Sequence, residues 1–283
     1  MENALEIAGL CKRYAGFALE DISFTLPRGC VMGLIGENGS GKTTTIKAVL
    51  DLIGRDAGEI RVLGLDNVRD GCAVRERIGV VLEDSGFLNT MTARQVDRLM
   101  GKAYAGWDSA RFSAYMQRFG IDGRKKIKDY SKGMRMKLSI AAALSHGAEL
   151  LLMDEPTSGL DPVVRDEVLD LFYDFMQDEE HAILLSSHIT SDLDKIADYV
   201  TFVHQGRLLL SEPRDELLDT YGVLRCTADQ LAALDPDAVR AHRTGAFGCE
   251  ALVRRDGVPQ GWPVERTNIE QVMLLLTKGE EVR

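Results

Sequence analysis

Residues 36 to 43 read Gly-Glu-Asn-Gly-Ser-Gly-Lys-Thr, a complete P-loop, and they constrain the fold more than any other stretch of the chain. This motif needs a buried strand before it and a helix after it. It follows the apolar run Val31-Met32-Gly33-Leu34-Ile35 and precedes a helix-compatible segment, 43–53. Glycines let the backbone bend until several N–H groups converge on an anion, and the helix adds the positive end of its dipole. The candidate nucleotide-binding residues are Gly36, Glu37, Asn38, Gly39, Ser40, Gly41, Lys42, Thr43 and Thr44. Lys42 is expected to reach the β- and γ-phosphates, and the Thr43 hydroxyl to ligate Mg²⁺. A nucleoside triphosphate is therefore the implied ligand.

A second short apolar run, Leu150-Leu151-Leu152-Met153, ends in Asp154-Glu155-Pro156. An unbroken apolar run suits a strand buried on both faces of a parallel sheet. Two carboxylates at its end form a Walker B arrangement: Asp154 is suited to hold Mg²⁺, and Glu155 to orient or deprotonate the attacking water. Ser158-Gly159-Leu160-Asp161 follows, and Pro162 fits the first turn of a helix expected to run to about residue 179. Ala182-Ile183-Leu184-Leu185 reads as a further buried strand, ending in Ser186-Ser187-His188. A histidine just past the C-terminal end of a parallel strand lies on the ligand-binding edge of an α/β sheet. Taken alone, His188 reads as structural or merely exposed; in this order it reads as a γ-phosphate contact.

Between these motifs stands Tyr130-Ser131-Lys132-Gly133-Met134, ahead of an amphipathic helical segment, 135–145. It resembles the signature of ATP-binding-cassette (ABC) ATPases, whose usual form is Leu-Ser-Gly-Gly-Gln. The resemblance covers residues 1 to about 219 and includes six motifs in order. It implies a P-loop NTPase core of ABC ATPase type, mainly a parallel sheet, with an antiparallel β-subdomain and a helical subdomain at about 85–145. It also implies ATP and Mg²⁺ as ligands, and two cassettes stacked head to tail. Ser131, Lys132, Gly133 and Met134 would then act in trans on the partner's nucleotide, with Asp161 in the D-loop. Lys132 and Met134 depart from the usual glycine and glutamine. After the strand expected at 78–82, Glu83 stands where the family's Q-loop has glutamine; its oxygen would approach Mg²⁺, making Thr43, Glu83 and Asp154 the metal set, with Glu83 also placed near the chemistry. Tyr14, after Lys12-Arg13, matches the family's adenine-stacking aromatic, with packing in the β-subdomain as the alternative.

Leu, Ile and Val runs alternating with helical stretches predict an α/β domain with a mainly parallel sheet. Segments 92–103 and 108–118, the second opening on Asp108 as N-cap, interrupt that alternation as two amphipathic helices. In the family this region meets a membrane partner. At 283 residues and 45% hydrophobic content, the chain can bury one large core plus a small appendage. That appendage is placed at 220–283 as a small α+β domain. Its expected strands are 221–227, 251–254 and 264–266, with turns at Asp256-Gly257 and Gln260-Gly261. A capping box, Thr267-Asn268-Ile269-Glu270, would open a helix to about residue 277.

Net charge is −10 and the pI about 5.1. With no long Lys/Arg block, nothing points to nucleic acid, and Arg124-Lys125-Lys126-Ile127-Lys128 reads as a solvated face. No stretch approaches 18 consecutive apolar residues and no signal-peptide layout opens the chain, so a cytosolic protein is expected, reaching the membrane's cytoplasmic face through a partner. Cys11, Cys30, Cys72, Cys226 and Cys249 are scattered and odd in number, and read as reduced thiols. The resemblance implies the ATP-hydrolysing subunit of a transporter, similar to bacterial exporter-type cassettes with a separate integral membrane subunit. The alternative is a non-transport ABC ATPase of translation or DNA repair. Against it stand the single P-loop, and the absence of a coiled coil between Lys42 and Asp154.

Overall fold

The computed structural model describes residues 2–82, 86–245 and 248–281. Two long antiparallel strands, β1 (Asn3–Tyr14) and β2 (Phe17–Pro27), open the chain. β3 (Val31–Ile35) is buried along its whole length. The P-loop leads into α1 (Lys42–Val49), which stops short of the expected residue 53. Asp51 takes a left-handed φ of 54°. The N–H groups of Asp51 and Leu52 turn back to the carbonyls of Ala48 and Lys47, closing the helix end.

β4 (Ala57–Val62) pairs antiparallel with β1, and β5 (Leu65–Asp66) with β4. They complete a four-stranded antiparallel sheet in the order β2-β1-β4-β5. After α2 (Gly71–Arg77) and β6 (Ile78–Val81) comes the helical region, α3 (Ala93–Ala103), α4 (Ser109–Arg118) and α5 (Lys132–Leu144). Thr92 and Gln95 form a capping box on α3, and Asp108 caps α4. Val96, Phe112, Met116 and Leu138 bury the apolar stripes of all three helices against one another.

β7 (Leu150–Asp154) and β8 (Ala182–Ser187) are buried throughout, as continuous apolar strands of a doubly covered parallel sheet must be. Just before β7, Glu149 accepts two hydrogen bonds from Arg77 (2.5 and 2.7 Å) and one from Arg28 (3.1 Å). Between these strands lies α6 (Pro162–Phe175), shorter than the sequence suggested. His181 Nδ1 lies 2.7 Å from the terminal carbonyl of Phe175, and its ring stacks on that of Phe175, so the chain turns there. α7 (Thr190–Ile196), β9 (Tyr199–His204), β10 (Arg207–Pro213) and α8 (Arg214–Thr220) follow. The central sheet runs β10-β9-β3-β8-β7-β6, parallel except for the antiparallel edge strand β10.

The remainder comprises β11 (Tyr221–Cys226), α9 (Ala228–Ala232), β12 (Val239–Gly245), β13 (Gly248–Arg254), β14 (Val264–Arg266), α10 (Ile269–Lys278) and β15 (Glu280–Glu281). Its strands form one antiparallel sheet in the order β14-β11-β13-β12-β15. The N-cap of α10 is Asn268, accepting from Gln271 N at 2.8 Å, so a single side-chain cap one residue later replaces the expected box anchored on Thr267. Leu252, Val272, Leu275 and Leu276 join the same apolar core as Phe175, Leu193 and Ile196. No helix among the described residues is long and apolar enough to cross a membrane.

Candidate active site

The P-loop is held in shape from below. A side chain at Gly36 would collide with Val203 O and the Ser40 hydroxyl, so the position needs glycine. The β9–β10 turn braces the loop: the Gly206 N–H donates to Ser40 O at 2.9 Å, and the Gly206 carbonyl accepts from Glu20 N at 2.8 Å. Lys42 is buried, with Nζ donating to Gly36 O at 2.8 Å and Glu37 O at 3.3 Å, and standing 3.6 Å from Glu155 Oε1. The buried Ser40 hydroxyl has no hydrogen-bond partner among the described residues.

The parallel register sets Asp154 beside Ser186. Asp154 Oδ1 accepts from the Ser186 hydroxyl at 2.6 Å, and Oδ2 from the Thr43 hydroxyl at 2.8 Å. The carboxylate is thus fixed by two strands and the P-loop helix. Ser186 Oγ also accepts from Glu155 N at 3.0 Å. Glu155 sits at φ 52°, a left-handed conformation that costs a non-glycine residue about 1–3 kcal/mol and that gathers at functional sites. The turn delivers its carboxylate to His188, whose Nδ1 lies 2.6 Å from Oε2. The Glu155 carboxylate accepts in that bond, so the proton it shares with His188 lies on Nδ1.

These groups line one cavity of about 710 Å³, whose walls are Gly16, Phe17, Asn38 to Thr44, Asp154, Glu155, Ser158 and His188. That size and polar convergence suit a nucleotide. Thr43 and Asp154 supply hard oxygens side by side, the donor set Mg²⁺ prefers. Among the described residues no three His, Cys, Asp or Glu cluster as a closed metal cage. The arrangement therefore fits a magnesium ion held by one or two protein oxygens together with substrate phosphates and water.

Other predicted site residues lie elsewhere. Tyr14, 47% exposed at the end of β1, is absent from the cavity wall, where Phe17 is the aromatic. Gly36 and Glu37 support Lys42 through their carbonyls rather than lining the cavity. Ser131 is the N-cap of α5, its hydroxyl accepting from Met134 N at 3.2 Å; it is exposed, as is Lys132, while Gly133 and Met134 are half-buried. None of the four reaches this chain's own cavity. Asp161 caps α6, accepting from Val163 N and Val164 N at 3.1 Å each. Glu83 lies outside the described residues. Sequence reasoning missed Ser186, because its partnership with Asp154 exists only through strand pairing.

A profile of the ABC transporter family matches residues 19–158. The bacitracin transport ATP-binding protein BcrA of Bacillus licheniformis is 32% identical over 220 residues, spanning 77% of this chain and 72% of that protein. The daunorubicin resistance ATP-binding protein DrrA3 of Streptomyces coeruleorubidus is 36% identical over 222 residues, 76% and 70% of the two chains. A solved ATP-binding subunit of an ABC transporter matches with a TM-score of 0.70 at 27% identity, covering 76% of this chain and 91% of its own. With the P-loop, the paired carboxylates and the histidine converging on one nucleotide-sized cavity, this chain belongs to the ABC transporter family as an ATP-binding, ATP-hydrolysing subunit.

Proposed function

We propose that this chain works as one of two stacked cassettes, on the cytoplasmic face of a membrane, energising export by a separate integral membrane subunit. The observation that carries the chemistry is the 2.6 Å contact between Glu155 and His188 in the cavity that also holds Lys42, Thr43 and Asp154. The relatives named for bacitracin transport and daunorubicin resistance support export, and weigh against a role in translation or repair. In this reading residues 1–219 form the cassette and 220–283 an accessory domain.

Thr43 and Asp154 would hold Mg²⁺, whose charge would offset that of the substrate phosphates. Lys42 exchanges its loop carbonyls for phosphate oxygens. Glu155 takes the proton of the attacking water, and His188 holds the Glu155 carboxylate in place while its Nε2 side faces the γ-phosphate. Tyr14, whose strand partner Phe17 lines the cavity, stacks on the adenine, and Glu83 is assigned to the metal set from its place in the sequence alone. Ser131 to Met134, which do not line their own chain's cavity, meet the nucleotide of the second cassette, with Asp161 in the D-loop between them.

Reconstitution with a membrane subunit in inverted vesicles tests the reading. ATP-dependent uptake of a fluorescent amphiphilic drug is expected, abolished by Glu155→Gln. Full ATPase activity without uptake of any such compound, in vesicles that hold the membrane subunit, would overturn export.

A further inference from the structure

Outside the nucleotide site, the appended sheet places two thiols together that the sequence separates by more than twenty positions. β11 and β13 run antiparallel with Cys226 directly opposite Cys249. Directly opposed residues of such a pair have Cα atoms about 4.5–5.5 Å apart. That span lies inside the window of about 4.4–6.8 Å that a disulfide bridges. Both residues belong to the face that carries Leu224, Ala251 and Val253, so both side chains emerge on one side of the sheet.

Their surroundings differ in a useful way. Cys249 is 3% exposed, with the Thr244 hydroxyl 3.6 Å from its sulfur. Cys226 is half-buried, and both cysteines line a cavity of about 730 Å³ together with Thr227, Gln230 and Thr244. Cys226 is the more accessible of the two thiols.

We propose that Cys226 and Cys249 form an oxidisable dithiol, closed to an intrachain disulfide by a low-molecular-weight disulfide that enters this cavity. The Cys226 thiolate attacks one sulfur of the small disulfide, whose S–S bond breaks and releases one small thiol, leaving a mixed disulfide on Cys226. Cys249 then gives its proton to solvent and attacks the Cys226 sulfur, expelling the second small thiol. The two protein thiols lose two electrons and two protons, and the small disulfide gains both. Burial, and then the neighbouring Cys249, push the Cys226 thiol up from its ordinary value, so the first step accelerates as pH rises above neutrality. The strands are already paired, so the two thiols are held opposite each other before the small disulfide arrives. Excess thiol reverses it.

The full chain, incubated with reduced and oxidised glutathione at graded ratios, is quenched with an alkylating agent and peptide-mapped. The expected product links the peptides of Cys226 and Cys249, while Cys11, Cys30 and Cys72 remain alkylated. Cys249→Ser is expected to stop at a glutathione adduct on Cys226, and circular dichroism checks that this variant is folded. The wild-type result stands without the variant. Persistence of both thiols at the most oxidising ratio, a lasting adduct on Cys226 with Cys249 still alkylatable, or oxidation confined to the other three cysteines would each overturn the proposal.

Discussion

Lys42 Nζ faces Glu155 Oε1 across 3.6 Å, while two carbonyls of the P-loop hold the same ammonium at 2.8 and 3.3 Å. One cation thus spans the loop that binds phosphate and the carboxylate placed to act on water. Lys42→Ala removes that cation without opening the sheet. Charge-assisted hydrogen bonds contribute about 1.5–3 kcal/mol, so Mg-ATP affinity is expected to fall roughly 10-fold to 100-fold. Titration calorimetry measures it, and unchanged affinity would remove Lys42 from the site.

Glu155→Gln separates binding from chemistry. The amide keeps the size and a hydrogen bond to His188 but loses basicity, and a general base contributes about 10²–10⁴ in rate. The variant is expected to bind ATP nearly normally, hydrolyse it at least roughly 100-fold more slowly, and accumulate as an ATP-bound dimer. Single-turnover hydrolysis with labelled ATP decides the matter. Near-normal turnover would show that another group is the base, and Glu83 would be the next residue to substitute.

Ser131→Arg addresses the signature in trans. Ser131 is exposed and bonded only within its own helix start. The substitution is expected to leave ATP binding by the monomer intact and to block ATP-dependent dimerisation, read by light scattering with and without Mg-ATP. A dimer that forms as well as the parent's would refute the stacked arrangement.

Glu149 offers a test of stability against pH. Arg77, and then Arg28, hold its carboxyl below the usual carboxylate range against the opposing effect of burial. A depressed folded-state pKa adds stability that is complete above the unfolded value, about 4.3, and is lost as pH falls through the folded value. Glu149→Gln is therefore expected to be less stable at pH 7 by about 1–3 kcal/mol. The gap to the parent should shrink below about pH 4. Urea unfolding at stepped pH measures it, and a pH-independent gap would contradict the ion pair.

The strands of the central sheet were legible because burial on both faces writes them as unbroken apolar runs, as in Val31–Ile35 and Leu150–Asp154. β1 was not, since shifts of register between Ile7 and Leu10 and between Leu10 and Lys12 break its alternation. β12 reads as polar because its exposed half carries Arg243 and Thr244. Helix ends were misjudged where a left-handed Asp51 or the His181 ring stopped them, since neither is a glycine or proline signal. In the site, P-loop and carboxylates announce themselves by local spacing. Ser186 and Phe17 enter only when separate strands are brought side by side, and no local pattern records that.

Because Leu252, Val272 and Leu276 share one apolar interior with Phe175 and Leu193, the C-terminal sheet is no detachable tail. Heat is expected to melt it and the ATPase fold in a single transition. The temperature at which this enzyme fails is then expected to depend partly on the fit of the C-terminal sheet and helix against the core of the ATPase.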